Sequence, residues 1–335
     1  MKLAVVGAGY WGINLVRVFH RLGVLGQICD FSSRLEQLAV DYPDVRADAS
    51  YQAVLDDPSL DAVVIATPAE THYELAKQAL LAGKDVMVEK PMTLRCEETE
   101  DLIEMAESRR RILMVGHLLE YHPAVTRLQS LVEQGELGRI EYIYSNRLNL
   151  GKVRREENAF WSFAPHDISV ILLLLKRLPI QVTATGGTYL QPNIADVTVS
   201  TMLFDRGVRA HVFVSWLHPY KEQKLVVVGE RRMAVFDDVR KTEKLQLFDK
   251  HIEIVNGQFV VERPTPEAVS FDTDEPLMLE CRHFMECVDT RRTPKTDGHD
   301  AWRVLRVMEA SQRSLSMNGE PVQIEAHRAL ELVRA

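Results

Sequence analysis

The chain has 335 residues, a length that usually divides between two hydrophobic cores. Hydrophobic residues make up 46 % and charged residues 26 %, which is typical of a globular protein and excludes wholesale disorder. The formal net charge of -8 argues against a general nucleic-acid binder, because such proteins need a basic face to displace counterions. Any anionic ligand must therefore be bound by a local cluster of positive groups.

No apolar run approaches the length of a membrane span. The longest, Ile168 to Leu175, is far shorter than the roughly 20 residues that cross a bilayer, so we expect a buried helix there. Met1 leads directly into a strand pattern, which leaves no room for a signal peptide. The cysteines have neither zinc-site spacing nor a Cys-x-x-Cys pair, which predicts reduced thiols, no metal and a cytoplasmic location: Cys29, Cys96, Cys281 and Cys287.

The first 118 residues alternate between short β-branched runs and amphipathic stretches. Strands are predicted at Leu3–Val6, Gln27–Phe31, Ala62–Ala66, Asp85–Val88 and Ile112–Val115. Helices are predicted between them, at 13–22, Arg34–Asp41, Thr71–Leu81 and Glu97–Arg109. Strands and helices that alternate at this spacing predict an α/β fold, with a doubly wound, NAD-binding Rossmann domain over residues 1–118.

After His117 the pattern changes to consecutive strands with short turns, which is typical of an antiparallel sheet. We predict a second, α+β domain over 119–335, with a large, mainly antiparallel open sheet that serves substrate binding and oligomerisation. Its strands are expected at Ile140–Leu148, Gln181–Thr188, Val197–Phe204, Val208–Trp216, Lys224–Val228 and Met233–Phe236. Its helices are expected at Pro123–Glu133, Pro165–Leu175, Pro276–Thr290 and Asp300–Met317, with the last two closing the domain over about 276–317.

A glycine-rich segment, Gly7-Ala8-Gly9-Tyr10-Trp11-Gly12, follows the first strand and opens the first helix, as the dinucleotide fingerprint requires. Gly7 permits the turn, Gly9 lets the backbone approach the pyrophosphate, and Gly12 lets helix and strand pack closely. The helix N-terminus then presents free N–H groups to the phosphates. Tyr10 and Trp11 follow the loop, where an aromatic ring either covers the cofactor or packs against the second domain.

An acidic residue, Asp30, ends the second predicted strand and indicates which cofactor is bound. A carboxylate there accepts hydrogen bonds from the adenosine ribose hydroxyls and repels a 2′-phosphate, so NAD is favoured over NADP. Arg34 lies nearby and softens that preference. Thr67-Pro68 and Glu89-Lys90-Pro91 each end a parallel strand, at the edge of the sheet where ligands bind, and Pro91 keeps Lys90 extended there.

Four motifs in this order resemble the glucose–fructose oxidoreductase / inositol dehydrogenase family (Gfo/Idh/MocA). They are GAGYWG at 7–12, Ala66-Thr67-Pro68 with His72 four residues on, Glu89-Lys90-Pro91, and Gly116-His117. The likeness covers the whole chain, since the family also carries a C-terminal domain built on an open antiparallel sheet. It implies NAD(P)-dependent oxidation or reduction of sugar and cyclitol carbons, with Lys90 at the reacting hydroxyl and with Thr67, Pro68, His72 and Glu89 beside the cofactor.

Residues 149–158 and 161–167 resemble a narrower, nucleotide-sugar branch, the UDP-N-acetylglucosaminuronate 3-dehydrogenases of bacterial surface-polysaccharide synthesis. The family pattern implies that His166 is the active-site histidine, with an Asp four residues before it. In this sequence the position four residues before His166 is occupied by Ser162. Asp167 is adjacent to His166, yet successive helical residues point about 100° apart, so it cannot simply substitute.

Oxidising a secondary alcohol requires a base for the hydroxyl proton while the hydride moves to the nicotinamide. A histidine titrates near neutral pH, so His166 is the first choice for the base, and Lys90 then stabilises the developing charge on the same oxygen. The reverse assignment stays open, because a desolvated lysine beside another cation can lose its proton.

Positive charge is concentrated in one segment of this acidic chain, at Arg147, Lys152, Arg154 and Arg155. Such a run is either a solvated face or a site for a substrate carboxylate or diphosphate, which the planar fork of arginine suits. We assign substrate binding to Arg154 and Arg155, and expect Asn158 and Trp161 to line the sugar pocket.

The leading hypothesis is oxidation of C3 of UDP-N-acetylglucosaminuronic acid with NAD. The alternatives are a dTDP-linked keto-sugar reductase, an inositol or free-sugar dehydrogenase, and a non-catalytic dinucleotide-binding regulator. Lys90 with His166 argues against the regulator, since a sensor needs no acid–base pair. The expected partners are a nucleotide sugar and further copies of the chain, in a homodimer or homotetramer built across the open sheet, with no nucleic acid and no membrane.

Overall fold

The computed structural model describes residues 1–325 and forms two compact units. Unit 1 comprises Met1–Tyr121 and Asp274–Leu305, and unit 2 comprises His122–Thr273 with the chain from Arg306 onward. The predicted division kept everything after residue 118 in one domain, whereas the structure returns the chain to the first unit at Asp274. No helix within residues 1–325 is long and apolar enough to cross a membrane.

Unit 1 is built on a parallel sheet of six strands in the order β3-β2-β1-β4-β5-β6, which confirms the doubly wound Rossmann fold. The strands are β1 (Leu3–Val6), β2 (Leu25–Cys29), β3 (Arg46–Asp48), β4 (Ala62–Ile65), β5 (Asp85–Glu89) and β6 (Leu113–Gly116). The central strands read as continuous apolar runs because both faces of the sheet are covered.

Five helices connect these strands: α1 (Gly12–Arg21), α2 (Leu35–Asp41), α3 (Tyr51–Asp56), α4 (His72–Leu81) and α5 (Cys96–Ser108). The sequence patterns predicted four of them within a few residues at each end. They missed β3 and α3, which are only three and six residues long. Elements that short show no period that a pattern can reveal.

Unit 2 is built on a sheet of nine strands in the order β16-β13-β12-β11-β7-β10-β9-β8-β17. Every pair is antiparallel except β7 with β10, so the predicted mainly antiparallel sheet is confirmed. The strands are β7 (Ile140–Leu150), β8 (Gln181–Gly187), β9 (Val197–Leu203), β10 (Arg209–Ser215), β11 (Leu217–Gly229), β12 (Arg232–Asp237), β13 (Leu245–Asp249), β16 (Glu267–Ala268) and β17 (Val322–Gln323). A separate hairpin pairs β14 (Ile252–Val255) with β15 (Gln258–Val261).

Two helices of unit 2 precede and follow β7: α6 (Pro123–Glu133) and α7 (Ala159–Leu175). Helix α7 was predicted to begin at Pro165, but it begins six residues earlier and runs through that proline. The reason is a capping residue, Asn158, whose side-chain oxygen accepts the backbone N–H of Trp161 at 3.0 Å. Most of α7 is buried, as its apolar composition predicts.

The closing helices are α8 (Pro276–Thr290) and α9 (Gly298–Ser316), and they are divided between the units. Helix α8 belongs to unit 1 because its apolar face shares the core of β1 and α1, through Leu277, Cys281 and Phe284 among others. Glu275, at its start, also pairs with Arg17 of α1. The two units meet in sequence within α9, between Leu305 and Arg306. The hydrophobic periodicity of the sequence predicted both helices, but it did not indicate which hydrophobic core each helix would join.

Candidate active site

The glycine-rich loop of unit 1 has the shape that a dinucleotide pyrophosphate requires. Gly7 has φ +88°, and a Cβ at Gly12 would lie 1.9 Å from the Gly7 carbonyl oxygen. At Gly9, by contrast, a Cβ would meet nothing within 4 Å. Two glycines are therefore required by the turn itself, and the third faces open space, as expected where a ligand approaches the backbone.

We expect alanine at Gly9 and at Gly12 to have different effects. Gly9→Ala should weaken NAD binding by about tenfold or more without lowering the melting temperature, because the new methyl fills space only in the bound state. Gly12→Ala should weaken binding and also lower the free energy of unfolding by about 1–3 kcal/mol, because it displaces backbone. Calorimetric titration with NAD and thermal denaturation separate the two; equal melting losses would contradict this interpretation of Gly9.

Asp30 lies directly after β2, buried beside the glycine-rich loop. Its carboxylate accepts the backbone N–H of Ala8 at 2.5 Å and that of Ser32 at 2.7 Å, one on each oxygen. Burial alone would raise the pKa of Asp30, but the hydrogen bonds from Ser32 and Ala8 and the charge of Arg34 hold it below its ordinary value. An ionised carboxylate has about four acceptor sites, so Asp30 can still accept a ribose hydroxyl of NAD. Arg34 is exposed nearby.

The two aromatic residues of the loop differ in their surroundings. Tyr10 is 81 % exposed. Trp11 donates its indole N–H to the Glu89 carboxylate at 2.5 Å, and Glu89 also accepts the backbone N–H of Lys90 at 3.2 Å. Burial raises the pKa of Glu89, and these hydrogen bonds together with the positive charges of Lys90 and His117 oppose the rise. Glu89 therefore accepts hydrogen bonds both from the glycine-rich loop and from the backbone of Lys90, the predicted catalytic lysine.

His72 joins the two strand ends that carry the other predicted cofactor residues. Its Nε2 faces the Thr67 carbonyl oxygen and its Nδ1 faces the Pro91 carbonyl oxygen, each at 2.8 Å, and its side chain is buried. Burial lowers the pKa of His72, although both carbonyl contacts favour the protonated ring. Both ring nitrogens are used in these contacts, so the geometry favours a role for His72 in positioning the Thr67-Pro68 and Lys90-Pro91 segments. Its place beside the cofactor stays a prediction.

In unit 2, α7 carries Ser162 and His166 one helical turn apart, on the same face. Ser162 accepts a hydrogen bond from the Arg154 guanidinium at 3.2 Å, and Arg154 also pairs with Glu157 at 3.0 Å. His166 is half-buried. Arg154 is therefore hydrogen-bonded to the serine that stands where the family pattern implies an Asp. Arg155, next in the chain, is exposed.

Asp167 cannot take over the missing carboxylate role, as predicted from the helix geometry. Arg147 binds it with two nitrogens, at 2.7 and 3.2 Å, and Ser145 donates to it at 2.6 Å. The same ion pair removes Arg147 from the cluster of cations that was considered for substrate recognition. The other cations of this segment are Lys152, Arg154 and Arg155, of which Arg154 is paired with Glu157.

Asn158 and Trp161 also have partners that the sequence did not reveal. Both donate to the side-chain oxygen of Gln312 on α9, Asn158 at 2.9 Å and the Trp161 indole at 3.0 Å. Gln312 thus fixes the first turn of the helix that carries His166. No sequence signal could have identified it, because an isolated glutamine on a predicted helix has no distinguishing pattern. The polar atoms of Asn158 and Trp161 are used within unit 2, which limits their part in a sugar pocket to packing and shape.

Comparison with protein families identifies both parts of the chain. Residues 1–117 match the description "Oxidoreductase family, NAD-binding Rossmann fold", and residues 125–235 match the "GFO/IDH/MocA C-terminal domain". Together the two matches span more than half of the chain. The chain belongs to the Gfo/Idh/MocA family. It is therefore an NAD-binding oxidoreductase, and the glycine-rich loop and Asp30 are residues of this chain that fit the cofactor.

Among the relatives of this Gfo/Idh/MocA protein are enzymes acting on nucleotide sugars and on inositol. The UDP-N-acetylglucosamine 3-dehydrogenase of Acidithiobacillus ferrooxidans is 28 % identical over 91 % of this chain and 94 % of its own length. The scyllo-inositol 2-dehydrogenase (NAD(+)) of Bacillus subtilis is 27 % identical over 98 % of both chains. A solved structure of the Acidithiobacillus enzyme has a TM-score of 0.84, with 27 % identity, and covers 95 % of this chain and 98 % of its own.

Proposed function

We propose that this oxidoreductase is a dehydrogenase of a UDP-linked 2-acetamido sugar, which oxidises C3 of UDP-N-acetylglucosaminuronic acid with NAD. The observation that carries this proposal is the likeness, along nearly the whole length of both chains, to an enzyme named for oxidising C3 of the corresponding UDP-linked acetamido sugar. The nucleotide-sugar motif at 149–158 supports the same substrate class. Surface-polysaccharide synthesis and a cytoplasmic location are parts of this proposal, and the four free, buried cysteines agree with the latter.

The choice of a uronate over the neutral sugar depends on Arg154. Its guanidinium donates a hydrogen bond to Ser162, which precedes His166 by one turn of α7. A planar guanidinium suits a carboxylate better than it suits a hydroxymethyl group. Arg154 forms an ion pair with Glu157 in the structure. A substrate carboxylate would therefore bind to a guanidinium that also contacts Glu157.

The proposed division of labour follows from what each side chain can do. NAD, when bound, supplies the hydride acceptor. His166 takes the proton of the C3 hydroxyl, and the Lys90 ammonium donates a hydrogen bond to the same oxygen as negative charge develops on it. The reverse assignment, with Lys90 as the base, is tested by the variants described in the Discussion.

A substrate panel tests the proposed function. Purified enzyme with NAD is mixed in turn with UDP-N-acetylglucosaminuronic acid, UDP-N-acetylglucosamine and scyllo-inositol, and the NADH absorbance band is followed. We expect the largest kcat/KM with the uronate and, by NMR of the product, a ketone at C3. Faster turnover of UDP-N-acetylglucosamine would overturn the uronate assignment, and faster turnover of inositol would overturn the substrate class. The alternative of a keto-sugar reductase is tested in the opposite direction, by following the oxidation of NADH after a dTDP-linked keto sugar is added. No turnover in either direction would favour a non-catalytic dinucleotide-binding regulator.

Alanine at Arg154 and at Arg155 should weaken substrate binding more than cofactor binding. Loss of a hydrogen bond to a charged group costs about 1.5–3 kcal/mol, so we expect KM for the uronate to rise by about tenfold to a hundredfold while the dissociation constant of NAD is unchanged. Arg282→Ala, an exposed arginine of α8, is the matched control. Equal losses for UDP-N-acetylglucosamine and for its uronate would show that these arginines do not bind the sugar carboxylate.

We further propose that the chain assembles as a homodimer or homotetramer through the open face of the nine-stranded sheet. That face exposes apolar side chains, including Tyr142 of β7 and Val199 of β9, which are 41 % and 40 % exposed. Tyr144 and His211 stack beside them, with ring centroids 5.3 Å apart. Contiguous apolar surface of this kind is typical of an interface. The molar mass in solution, measured by light scattering, decides between assembly and a monomer.

A further inference from the structure

The segment that carries the proposed substrate-binding arginines lies between β7 and α7. Strand β7 ends at Leu150 and α7 begins at Ala159, and the described residues 151–158 form neither helix nor strand. Hydrogen bonds of a helix or a sheet therefore do not fix the backbone at Arg154 or Arg155. The position of this segment depends instead on contacts from elsewhere in unit 2.

A loop between β8 and β9, residues 188–196, supplies two such contacts. The side-chain amide of Gln191 donates a hydrogen bond to the backbone carbonyl of Arg154. Further along the segment, the backbone N–H of Ala159 donates to the Ala195 carbonyl at 2.9 Å. The first N–H groups of a helix have no partner within it, so Ala195 satisfies one of them at the start of α7. The loop therefore holds the segment at its arginine and again where it enters the helix.

Asp196, a wholly buried carboxylate, fixes this loop from its end. One oxygen accepts the backbone N–H groups of Tyr189 and Leu190, at 2.6 and 2.9 Å, and the other accepts the indole N–H of Trp216 at 2.6 Å. Burial would raise the pKa of Asp196, but these three hydrogen bonds hold it below its ordinary value. Hydrogen bonds to an ionised group are stronger than those between neutral groups. The loop is therefore held in place just before its glutamine.

Arg154 is held by its side chain as well as by its backbone. Its Nε donates to the Ser162 hydroxyl at 3.2 Å and lies 3.0 Å from a Glu157 carboxylate oxygen. The side chain is 39 % exposed, and ion pairs at such exposure are weak, so they leave much of the orientation to the backbone. An arginine loses rotamer freedom when it binds a ligand, and holding it beforehand removes part of that cost.

We propose that Gln191 is a positioning residue: by holding the backbone carbonyl of Arg154, it keeps the guanidinium oriented for the carboxylate of the substrate. The inference rests on the proposed function, in which Arg154 distinguishes a UDP-linked uronate from the neutral sugar. It adds the loop of residues 188–196 to the elements that determine specificity. Gln191 acts through Arg154 alone, so its effect should vanish when that side chain is removed.

Gln191→Met tests the proposal, because it removes the amide donor and keeps the length of the side chain. We expect the KM for UDP-N-acetylglucosaminuronic acid to rise by about threefold to tenfold, the cost of ordering one long side chain on binding. The value of kcat, the dissociation constant of NAD and the KM for UDP-N-acetylglucosamine should be unchanged, whereas a general structural defect would affect both sugars. Gln129→Met is the matched control, since Gln129 is also half-buried and donates to Glu133 within α6.

A double variant tests whether Gln191 acts through Arg154. When Gln191→Met is added to Arg154→Ala, the KM for the uronate should stay at the value of Arg154→Ala alone, because no guanidinium remains to be positioned. Additive effects of the two substitutions would overturn the proposal. So would a wild-type KM in Gln191→Met while Arg154→Ala raises it, a result that leaves the uronate assignment intact.

A measurement without substrate separates this inference from the proposed function. The enzyme is labelled with nitrogen-15 arginine, and the Nε–H signal of Arg154 is assigned by its loss in Arg154→Lys. The heteronuclear NOE of that group reports its motion on the picosecond to nanosecond timescale. We expect the NOE to fall in Gln191→Met and to keep its wild-type value in Gln129→Met. An unchanged NOE in Gln191→Met would contradict the positioning role, whichever sugar is oxidised. A reduced NOE, with no effect of Arg154→Ala on KM, would overturn the uronate assignment and support the positioning of Arg154.

Discussion

Lys90→Met is expected to reduce turnover by about a thousandfold, the effect of removing a hydrogen-bond donor from a developing oxyanion. NAD binding should be nearly unchanged, because Lys90 follows β5 at the edge of the sheet, whereas we assign the binding of NAD mainly to the glycine-rich loop and Asp30. Methionine matches lysine in length and flexibility, so the variant removes charge with little change in packing. Steady-state kinetics of NADH formation and calorimetric titration with NAD measure the two effects separately.

Lys90→Arg then distinguishes the two possible roles of the lysine. Arginine keeps the positive charge but cannot lose its proton in a protein. If Lys90 stabilises charge on the oxygen, the arginine variant should retain far more turnover than the methionine variant. If the two variants are equally inactive, the lysine is the base, and if Lys90→Met turns over at the wild-type rate, Lys90 has no part in the mechanism.

His166→Asn is expected to lower kcat by a factor of about 10²–10⁴, the usual contribution of a general base. The acidic limb of the pH–rate profile should disappear at the same time, because that limb reports the protonation of the base. KM should change little, since Arg154 and Arg155 are the groups that we assign to substrate binding. His166→Gly should regain part of the lost rate when imidazole is added to the assay.

Gln312→Leu provides a control for effects that reach His166 only through the helix. It removes the acceptor shared by Asn158 and Trp161, and so loosens the first turn of α7 without touching the histidine. We expect a smaller loss of kcat, no rescue by imidazole, and an unchanged acidic limb. If His166→Asn and Gln312→Leu show the same pH–rate profile, His166 has only a structural role.

The fold of unit 1 could largely be predicted from the sequence because its buried parallel strands are uninterrupted apolar runs. Leu3–Val6 and Ala62–Ile65 are examples in which every residue is buried. In unit 2 the prediction missed the hairpin of Ile252–Val255 and Gln258–Val261, although Asn256-Gly257 between the two strands is a typical hairpin turn with positive φ at both residues. Both strands are only four residues long and fully exposed, so they lack the apolar face by which the other strands were predicted.

The roles of the site residues could be predicted from the sequence only where they depend on neighbours in the same motif. The glycine-rich loop was predictable because the conformation of Gly7 and the packing of Gly12 depend on neighbours along the motif. The roles of Asn158 and Trp161 depend instead on Gln312, which lies about half the chain away in sequence. The contacts of His72 could not be predicted for a similar reason, since its two carbonyl partners come from segments that only the folded chain brings together.

The central claim of the proposed function is that Lys90 and His166 act on one hydroxyl group of the sugar. A crystal structure of the enzyme with NADH and UDP-N-acetylglucosaminuronic acid tests it most directly. We predict that the Lys90 Nζ and a ring nitrogen of His166 each lie about 3 Å from the C3 oxygen of the sugar. A complex in which either group is beyond hydrogen-bonding reach of the oxygen on the carbon nearest the nicotinamide would contradict the account.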